Sequence, residues 1–372
     1  MSPEKGWQAK FPADGPKVLW KKDVGQGTSA VTIQGDRAYT MGNAGGKDTI
    51  YCLNATTGAE IWKHEYPLEL DPNMFEGGPR ATPTIDGDRV YTVSHQGDLW
   101  CLNAATGAKI WYKHYQRELG GKRPTWGYAG SPTVSGNLVI CDVGGDGTST
   151  VAFDKTNGNV VWKSGSHKAG YSTPVIANLG GKATVVVFKG EALVGLDLKS
   201  GKELWSTPWK TDYDVNAATP LIFGKDRVFI SSGYNSGCAL FQITGGQAKQ
   251  LWRNKNLRAQ INSPAPWSGR IYGIDNNASG NLVCLDASSG EEIWEERTVK
   301  GGALIATDGK LIVVTEKGDL VTVNATAPKF DEISRAKEVL KNRCWVQPTL
   351  NAGLLYLRDN EGDLVCLQMT AD

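Results

Sequence analysis

No stretch of this sequence stays apolar for long. The longest apolar runs, around 184–188 and 311–314, fall far short of the ~20 residues of a membrane-spanning helix, so no transmembrane segment is expected. Excess charge of one sign is also missing. Forty Lys plus Arg face 39 Asp plus Glu, a net charge of +1, without the basic excess of a nucleic-acid binder. Histidine is scarce, at four residues, and no two of the seven cysteines lie closer than the 22 residues between Cys344 and Cys366. That spacing excludes a CxxC redox or zinc motif. GxSxG, HExxH and phosphate-loop motifs are absent, and no helical hydrophobic period persists. What remains is substantial: 40% hydrophobic and 21% charged residues exclude a disordered chain. Forty-five glycines beside 13 tryptophans indicate many short strands joined by tight turns.

Self-similarity organises the chain. The segments 53–62 (LNATTGAEIW), 102–111 (LNAATGAKIW), 153–162 (FDKTNGNVVW), 196–205 (LDLKSGKELW) and 285–294 (LDASSGEEIW) are copies of one motif, and Leu251-Trp252 ends a degenerate copy. From Trp20 through Trp62, Trp111, Trp162, Trp205 and Trp252 to Trp294 the steps are 42, 49, 51, 43, 47 and 42 residues. A period of about 45 is that of a four-stranded propeller blade. The second copy reads as strands over 80–85, 89–94, 99–104 and 108–115, rich in Val, Ile, Tyr and Trp at roughly ten-residue spacing. Residues 331–341 have the composition of a short helix but stand where the fourth strand of the seventh copy belongs.

Pro83, Pro132, Pro174, Pro220, Pro264 and Pro348 share one place in the first strand of six copies. Proline cannot donate to a ladder and is confined to edges, so the first strand is read as the edge facing a central channel. The last copy supplies three strands (345–350, 354–359, 363–369), while 16–22 has the signature of a fourth strand with nothing before it. Joining them closes a ring and leaves no open sheet end. The expectation is an all-β, eight-bladed β-propeller with four antiparallel strands per blade. It forms one domain over 1–372, with 1–15 as an irregular arm. The repeated tryptophans are read as packing between blades, their indole N–H groups on neighbouring carbonyls. Cys52, Cys101, Cys284 and Cys366 share a third-strand position, too far apart from blade to blade for disulfides, and are read as small buried residues.

The motif Leu-Asp/Asn-Ala-x-x-Gly-x-x-Ile-Trp resembles the PQQ-like (quinoprotein) repeat over essentially the whole chain. The stretches 77–83 (GGPRATP), 126–132 (WGYAGSP) and 230–234 (ISSGY) are similar to those of secreted bacterial PQQ-like repeat proteins. That resemblance implies a periplasmic or extracellular protein whose export signal has been removed. Residues 2–16, polar and without a basic n-region or apolar h-region, would equally suit a cytoplasmic chain. Two further relatives imply different functions. PQQ-dependent alcohol dehydrogenases hold PQQ and Ca²⁺ in the channel mouth; the propeller lipoprotein of the outer-membrane β-barrel assembly machinery is a non-enzymatic scaffold. Those dehydrogenases cover PQQ with a disulfide between adjacent cysteines, which this sequence lacks. Glu76, Asn216, Asn262, Asp142, Asp146 and Asp214 could supply oxygen ligands, but no spacing marks them as a set. No cofactor and no metal site are expected, PQQ with Ca²⁺ being the alternative.

In an antiparallel blade the loop after strand two and the loop leaving strand four lie on one side. That side collects the long, varied loops, 66–78 and 115–127 among them, and loops on rigid scaffolds carry function. The residues entering the first strands there are the expected ligand-binding set: Glu76, Arg80, Trp126, Tyr128, Lys168, Tyr171, Asp214, Asn216, Gln260, Asn262, Lys300, Arg343 and Trp345. Aromatic platforms beside amides, Arg and carboxylates suit polyhydroxylated, carbohydrate-like ligands; a merely polar channel lining is the other reading. His64 and His114 share a structural fourth-strand place, whereas His95 and His167 fall in loops of this side. His167, Lys168 and Asp214 are the only catalytic candidates. The expected function is a non-catalytic binding or assembly scaffold, monomeric, taking a protein partner or a small polar ligand. An enzyme at the channel mouth, acting on carbohydrate or as a PQQ-dependent dehydrogenase, is the alternative.

Overall fold

The short Asx-capped turn between the third and fourth strands of five repeats is the element from which the fold builds. Asn54 Oδ1 accepts hydrogen bonds from the backbone N–H of Thr56 (3.1 Å) and Thr57 (2.9 Å), and Asn103, Asp197 and Asp286 repeat the arrangement. Hydroxyl hydrogen bonds from Ser200 and Ser288, joined by these backbone bonds, hold the Asp197 and Asp286 carboxyls below their ordinary pKa. Each turn closes on a glycine in the left-handed region, Gly58 at φ 71° and Gly158 at φ 74° among them, a conformation open to glycine without a Cβ clash.

The computed structural model describes residues 4–12, 14–71, 75–276 and 280–370. Among them, 32 strands form eight four-stranded antiparallel sheets, the blades of an eight-bladed β-propeller. Blade 1 comprises Thr32–Gln34, Arg37–Ala44, Lys47–Asn54 and Glu60–Pro67. Blades 2 to 5 begin at Thr84–Asp86, Thr133–Ser135, Val175–Leu179 and Leu221–Phe223, and blades 6 and 7 at Ala265–Trp267 and Ala303–Thr307. Blade 8 takes Thr349–Asn351, Leu354–Arg358 and Asp363–Gln368 from the C-terminus and Val18–Asp23 from the N-terminus, with Trp20 paired to Cys366. The expected ring closure is therefore present. Residues 332–336, within the segment of helical composition, form the fourth strand of blade 7.

Two compact units make up the chain: Met1–Pro79 with Ile261–Asp372, and Arg80–Gln260. In the second unit, Trp111 Nε1 and Tyr91 Oη of blade 2 both donate to the Lys155 carbonyl of blade 3 (3.0 and 3.1 Å). Trp162 Nε1 of blade 3 donates to Leu198 O of blade 4 (3.1 Å). In the first unit, Trp20 Nε1 and Tyr356 Oη of blade 8 meet Ala55 O of blade 1 (3.0 and 3.1 Å). The rings of Trp20, Trp111 and Trp162 lie on the turn glycines Gly58, Gly158 and Gly201 of the next blade, so that a Cβ on Gly158 would sit 2.8 Å from the Trp111 indole. The indole N–H groups of Trp252 and Trp294 have no hydrogen-bond partner among the described residues.

The strand register explains the cysteines. Tyr39–Cys52–Trp62, Tyr91–Cys101–Trp111, Tyr272–Cys284–Trp294 and Tyr356–Cys366–Trp20 are rungs across the second, third and fourth strands. The central rung is small under the Trp ring in six blades, with Ala152 and Gly195 filling it in blades 3 and 4, whereas blade 5 sets Leu240 opposite Trp252. All seven cysteines are free and buried, and burial pushes the Cys101 and Cys366 thiols up to about 12.

The prolines sit one residue upstream of the first strands rather than inside them. Their carbonyls serve the joint between blades: Thr84 Oγ1 donates to Pro132 O and Thr133 Oγ1 to Pro174 O, both at 2.6 Å. Blade 7 carries Ser334 where the other blades carry the Trp. There the described part of the N-terminal arm, without regular strand, adds Trp7, Ala9 and Phe11 to a core with Ile312, Leu320, Ala336 and Leu355. Thr322 Oγ1 donates to Ala9 O (2.7 Å) and Ser334 Oγ to Phe11 O (3.2 Å).

Gly158→Ala is expected to lower the unfolding free energy by about 2–4 kcal/mol, combining left-handed backbone strain with displacement of Trp111. Gly136→Ala, at φ 58° in open space, should lose only the backbone part, about 1–2 kcal/mol. Urea titration followed by tryptophan fluorescence reads both. The same measurement tests the arm: Trp7→Ala should cost about 3 kcal/mol, as for other buried aromatic truncations.

Candidate functional site

In the second unit, three loops leaving fourth strands meet on one side. Lys122, Arg123, Pro124 and Thr125 come from the loop between blades 2 and 3. Lys168, Ala169 and Tyr171 come from the next, and Tyr213 and Asp214 from the one after. They line a cleft of about 220 Å³. The loops after the second strands share this side, as expected: Tyr128 N donates to His95 O (3.0 Å) and Gly190 N to Lys168 O (3.1 Å).

Four predicted residues meet here. Lys168 Nζ lies 2.7 Å from Asp214 Oδ2, and Tyr171 Oη accepts from Trp126 N at 3.4 Å. The Trp126 ring packs against Tyr171 (centroids 6.2 Å) and edge-on to Tyr213 (6.1 Å), which meets Tyr234 at 5.5 Å. Burial pushes the Tyr171 hydroxyl up to about 12, so it stays a donor. Sequence reasoning did not single out Lys122, Arg123 or Tyr213. The first two lie in the long loop 115–127 it did flag. Arg123 is anchored on the carbonyl oxygens of His95, Pro124 and Thr125 (3.2–3.4 Å).

Other predicted residues of this unit are engaged by the fold. Asn216 is fully buried; its amide donates to Lys189 O (2.8 Å), Gly190 O and Trp209 O and accepts from Ser232 Oγ (2.7 Å). Tyr128 is buried and donates to Val143 O (3.0 Å). Burial holds the Arg80 guanidinium below its ordinary pKa, and the Gln260 side chain packs against Gly233. His167 stands between Glu191 (3.3 Å) and Glu203 (3.6 Å), and His114 caps the one-turn helix Tyr115–Leu119. His95 is fully buried, and neither ring nitrogen has a hydrogen-bond partner among the described residues.

The first unit brings together a second group. Arg343 Nη1 binds Glu76 Oε1 (2.8 Å), and its Nε lies 3.6 Å from Glu316 Oε1, which also accepts from Trp345 Nε1 (3.1 Å). The guanidinium stacks on Trp345 (4.9 Å) and Phe75 (5.7 Å), whose rings meet edge-on at 4.8 Å. Phe75, 39% exposed, was not singled out from the sequence. Lys300 Nζ donates to Asn281 Oδ1 (2.6 Å) and Asn262 Nδ2 to Gly302 O (2.6 Å).

The donors weighed for Ca²⁺ do not fit a shared cation site. Asp142 is buried against Lys189 Nζ (2.6 Å) and accepts from Gly170 N (2.9 Å). Asp146 pairs with Lys122, Asp214 with Lys168 and Glu76 with Arg343. Each of these four carboxylates already holds an ammonium or guanidinium. No helix among the described residues is long and apolar enough to cross a membrane.

Burial and the nearby Arg80 lower the His95 pKa to about 4 against a weaker opposing pull from Asp98. The unfolded chain, with an ordinary histidine pKa near 6.5, then binds more protons between about pH 6.5 and 4, so stability falls as pH drops through that window. The unfolding midpoint should decline there, and His95→Leu should flatten the decline.

Comparison with known proteins extends over nearly the whole chain. Residues 8–72, 46–279 and 249–370 match the family described as outer membrane protein assembly factor BamB. A curated relative, the outer membrane protein assembly factor BamB of Burkholderia pseudomallei (strain K96243), is 27% identical over 173 residues. The match covers 44% of this chain and 42% of the relative, so it spans less than half of the relative's length. Among solved structures, BamB from Moraxella catarrhalis superposes with a TM-score of 0.70 at 18% identity, over 95% of this chain and 100% of that one. Quinohemoprotein alcohol dehydrogenase from Comamonas testosteroni gives 0.71 at 13% identity, over 97% and 77%. At these identities the structural likenesses establish the fold alone.

Proposed function

The chain belongs to the family of the outer membrane protein assembly factor BamB, and we propose that it is a non-catalytic scaffold for outer-membrane protein assembly. In this reading it is exported to the periplasm and holds a protein partner on the long-loop side. One observation carries the reading beyond family membership: the Phe75–Arg343–Trp345 stack, with Phe75 exposed and Arg343 and Trp345 half-buried. Aromatic residues and arginine are the types that dominate binding energy at protein interfaces. The stack is also fixed before any partner arrives. Glu76 and Glu316 hold the guanidinium, and Asn360 Nδ2 steadies Glu76 at 3.3 Å. A surface already ordered loses little side-chain entropy on binding.

The chemistry of the reactive groups favours the same reading. The cysteines are buried, and burial raises the Cys101 and Cys366 thiols to about 12, far from the thiolate that attacks. Lys168 and Asp214 bind one another on an exposed surface, where neither is desolvated as a tuned acid or base would be.

The test is affinity purification of the tagged protein from its native host after mild cross-linking. Wild type should recover a component of the outer-membrane assembly apparatus. The double variant Phe75→Ala, Arg343→Ala should recover at least about tenfold less with an unchanged melting temperature. Failure of wild type to recover such a component, with normal outer-membrane protein levels in a deletion strain, would overturn the proposal.

A further inference from the structure

The cleft of the second unit has a composition that the scaffold reading does not use, and the inference drawn from it stands apart from that reading. At about 220 Å³ it is smaller than the ~300–1,000 Å³ of sites for drug-sized ligands, a size suited to a single-ring molecule. Its lining sets three cations, Lys122, Arg123 and Lys168, against one carboxylate, Asp214. The two lysines are each 66% exposed, and their partners Asp146 and Asp214 are 75% and 41% exposed. Ion pairs so open to water hold weakly, so either ammonium can exchange its partner for a ligand carboxylate. Arg123 cannot swing away, because three backbone carbonyls anchor it.

The walls are aromatic. Tyr213, 69% exposed, presents its ring edge-on to Trp126 and against Tyr234. Tyr213 and Asp214 both adopt left-handed backbone conformations, at φ 62° and 58°. Such conformations are disfavoured for residues with a Cβ and persist where the surroundings over-determine them. Thr211 Oγ1, donating to Val215 O at 3.0 Å, ties the base of this loop. The bend delivers a ring and a carboxylate, on successive residues, to one cavity.

A ring face, cationic donors and one carboxylate acceptor together describe a ligand with an apolar face, an acid group and hydroxyls. We propose that this cleft binds an acidic sugar, a single uronic-acid residue. Its pyranose face packs on Tyr213 and Tyr171, its carboxylate takes Lys122 or Lys168 with Arg123, and a hydroxyl donates to Asp214. A neutral sugar would leave the cations without a counter-charge, and an acidic peptide would leave the ring walls and Asp214 without a complement.

Titration of the purified protein with D-glucuronate, observed by saturation-transfer NMR and by calorimetry, tests this. Saturable binding is expected, with transfer strongest to the sugar ring protons and D-glucose binding at least about tenfold more weakly. Lys168→Met should weaken glucuronate about tenfold and Tyr213→Ala should abolish the ring-proton transfer, both with unchanged melting temperature. Three results would each overturn the proposal: no saturable glucuronate binding, binding indifferent to both substitutions, or tighter binding of penta-glutamate or inorganic phosphate at the same residues. None of them bears on the partner recovery that tests the scaffold.

Discussion

An indole resting on the next blade's glycine turn, with its N–H on a carbonyl of that turn, is the contact on which the other features of this fold depend. Trp20, Trp111 and Trp162 each make it. The ring buries a large apolar surface, and the N–H removes the cost of burying a polar group unmatched. Three sequence requirements follow from that one contact. The turn must carry glycine, because a Cβ would enter the ring. The third strand is small opposite Trp20, Trp111 and Trp162, with Cys366, Cys101 and Ala152 in that place. The carbonyl must be held in place, which the Asx cap does from inside the turn. The repeat motif, read in this way, is a list of what one tryptophan needs from its neighbours.

Charged side chains bury themselves at the same joints, and there the fold carries more risk. Arg358 of blade 8 donates to Ser29 O, Met41 O and Gly25 O of the adjoining segment, with burial lowering its pKa to about 10. Lys189 of blade 4 reaches Asp142, Ser149 O and Thr150 Oγ1 of blade 3. Burial draws Lys189 and Asp142 toward their neutral forms, and the contact between them opposes it. Removing one member of such a pair leaves a buried charge and costs about 3–5 kcal/mol. These cations have many acceptors within reach, which ties each to one register and one neighbour. Blade 7 shows the rule by its exception. Lacking the repeat Trp, it borrows Trp7 and Phe11 from the N-terminal arm.

The periodicity made the blade count, the ring closure and the role of Cys legible, because each repeats and so stands out against background. The expected indole bond to a neighbouring carbonyl is made by Trp20, Trp111 and Trp162 but not by Trp252 or Trp294. The prolines were placed one residue too far inside their strands. A ladder edge and the residue just before it look alike in sequence, and only the Thr84-to-Pro132 bond shows that the carbonyl, rather than the missing N–H, is what matters there. The site was legible in part for the opposite reason. Position in the loops found Trp126, Lys168, Tyr171 and Asp214 but could not tell outward from inward side chains. Asn216, two residues after Asp214, turns into the fold and spends its whole amide on carbonyls and Ser232. Tyr213, one residue before, is thrown outward by a left-handed φ that no composition rule announces for tyrosine. Neighbours in sequence thus divide between frame and surface, Tyr213 exposed and Asn216 buried.

That division explains how one frame can serve unrelated tasks, as its likeness to both BamB and a quinohemoprotein dehydrogenase shows. Fold alone decides nothing about function; the decision lies in which polar groups the frame leaves over. In this chain the frame has already claimed Asp142 with Lys189 and the Asn216 oxygen with the Ser232 hydroxyl, groups that would otherwise offer oxygen to a metal. The Phe75–Arg343–Trp345 stack and the tyrosine-walled cleft remain at the surface. Rings and cations at a surface bind by contact and charge, and they need no tuned proton or coordinated ion to do so. A frame that spends its buried polar groups on its own joints leaves outward-facing loop residues such as Phe75 and Tyr213 free to vary, while inward ones such as Asn216 and Tyr128 stay tied to it.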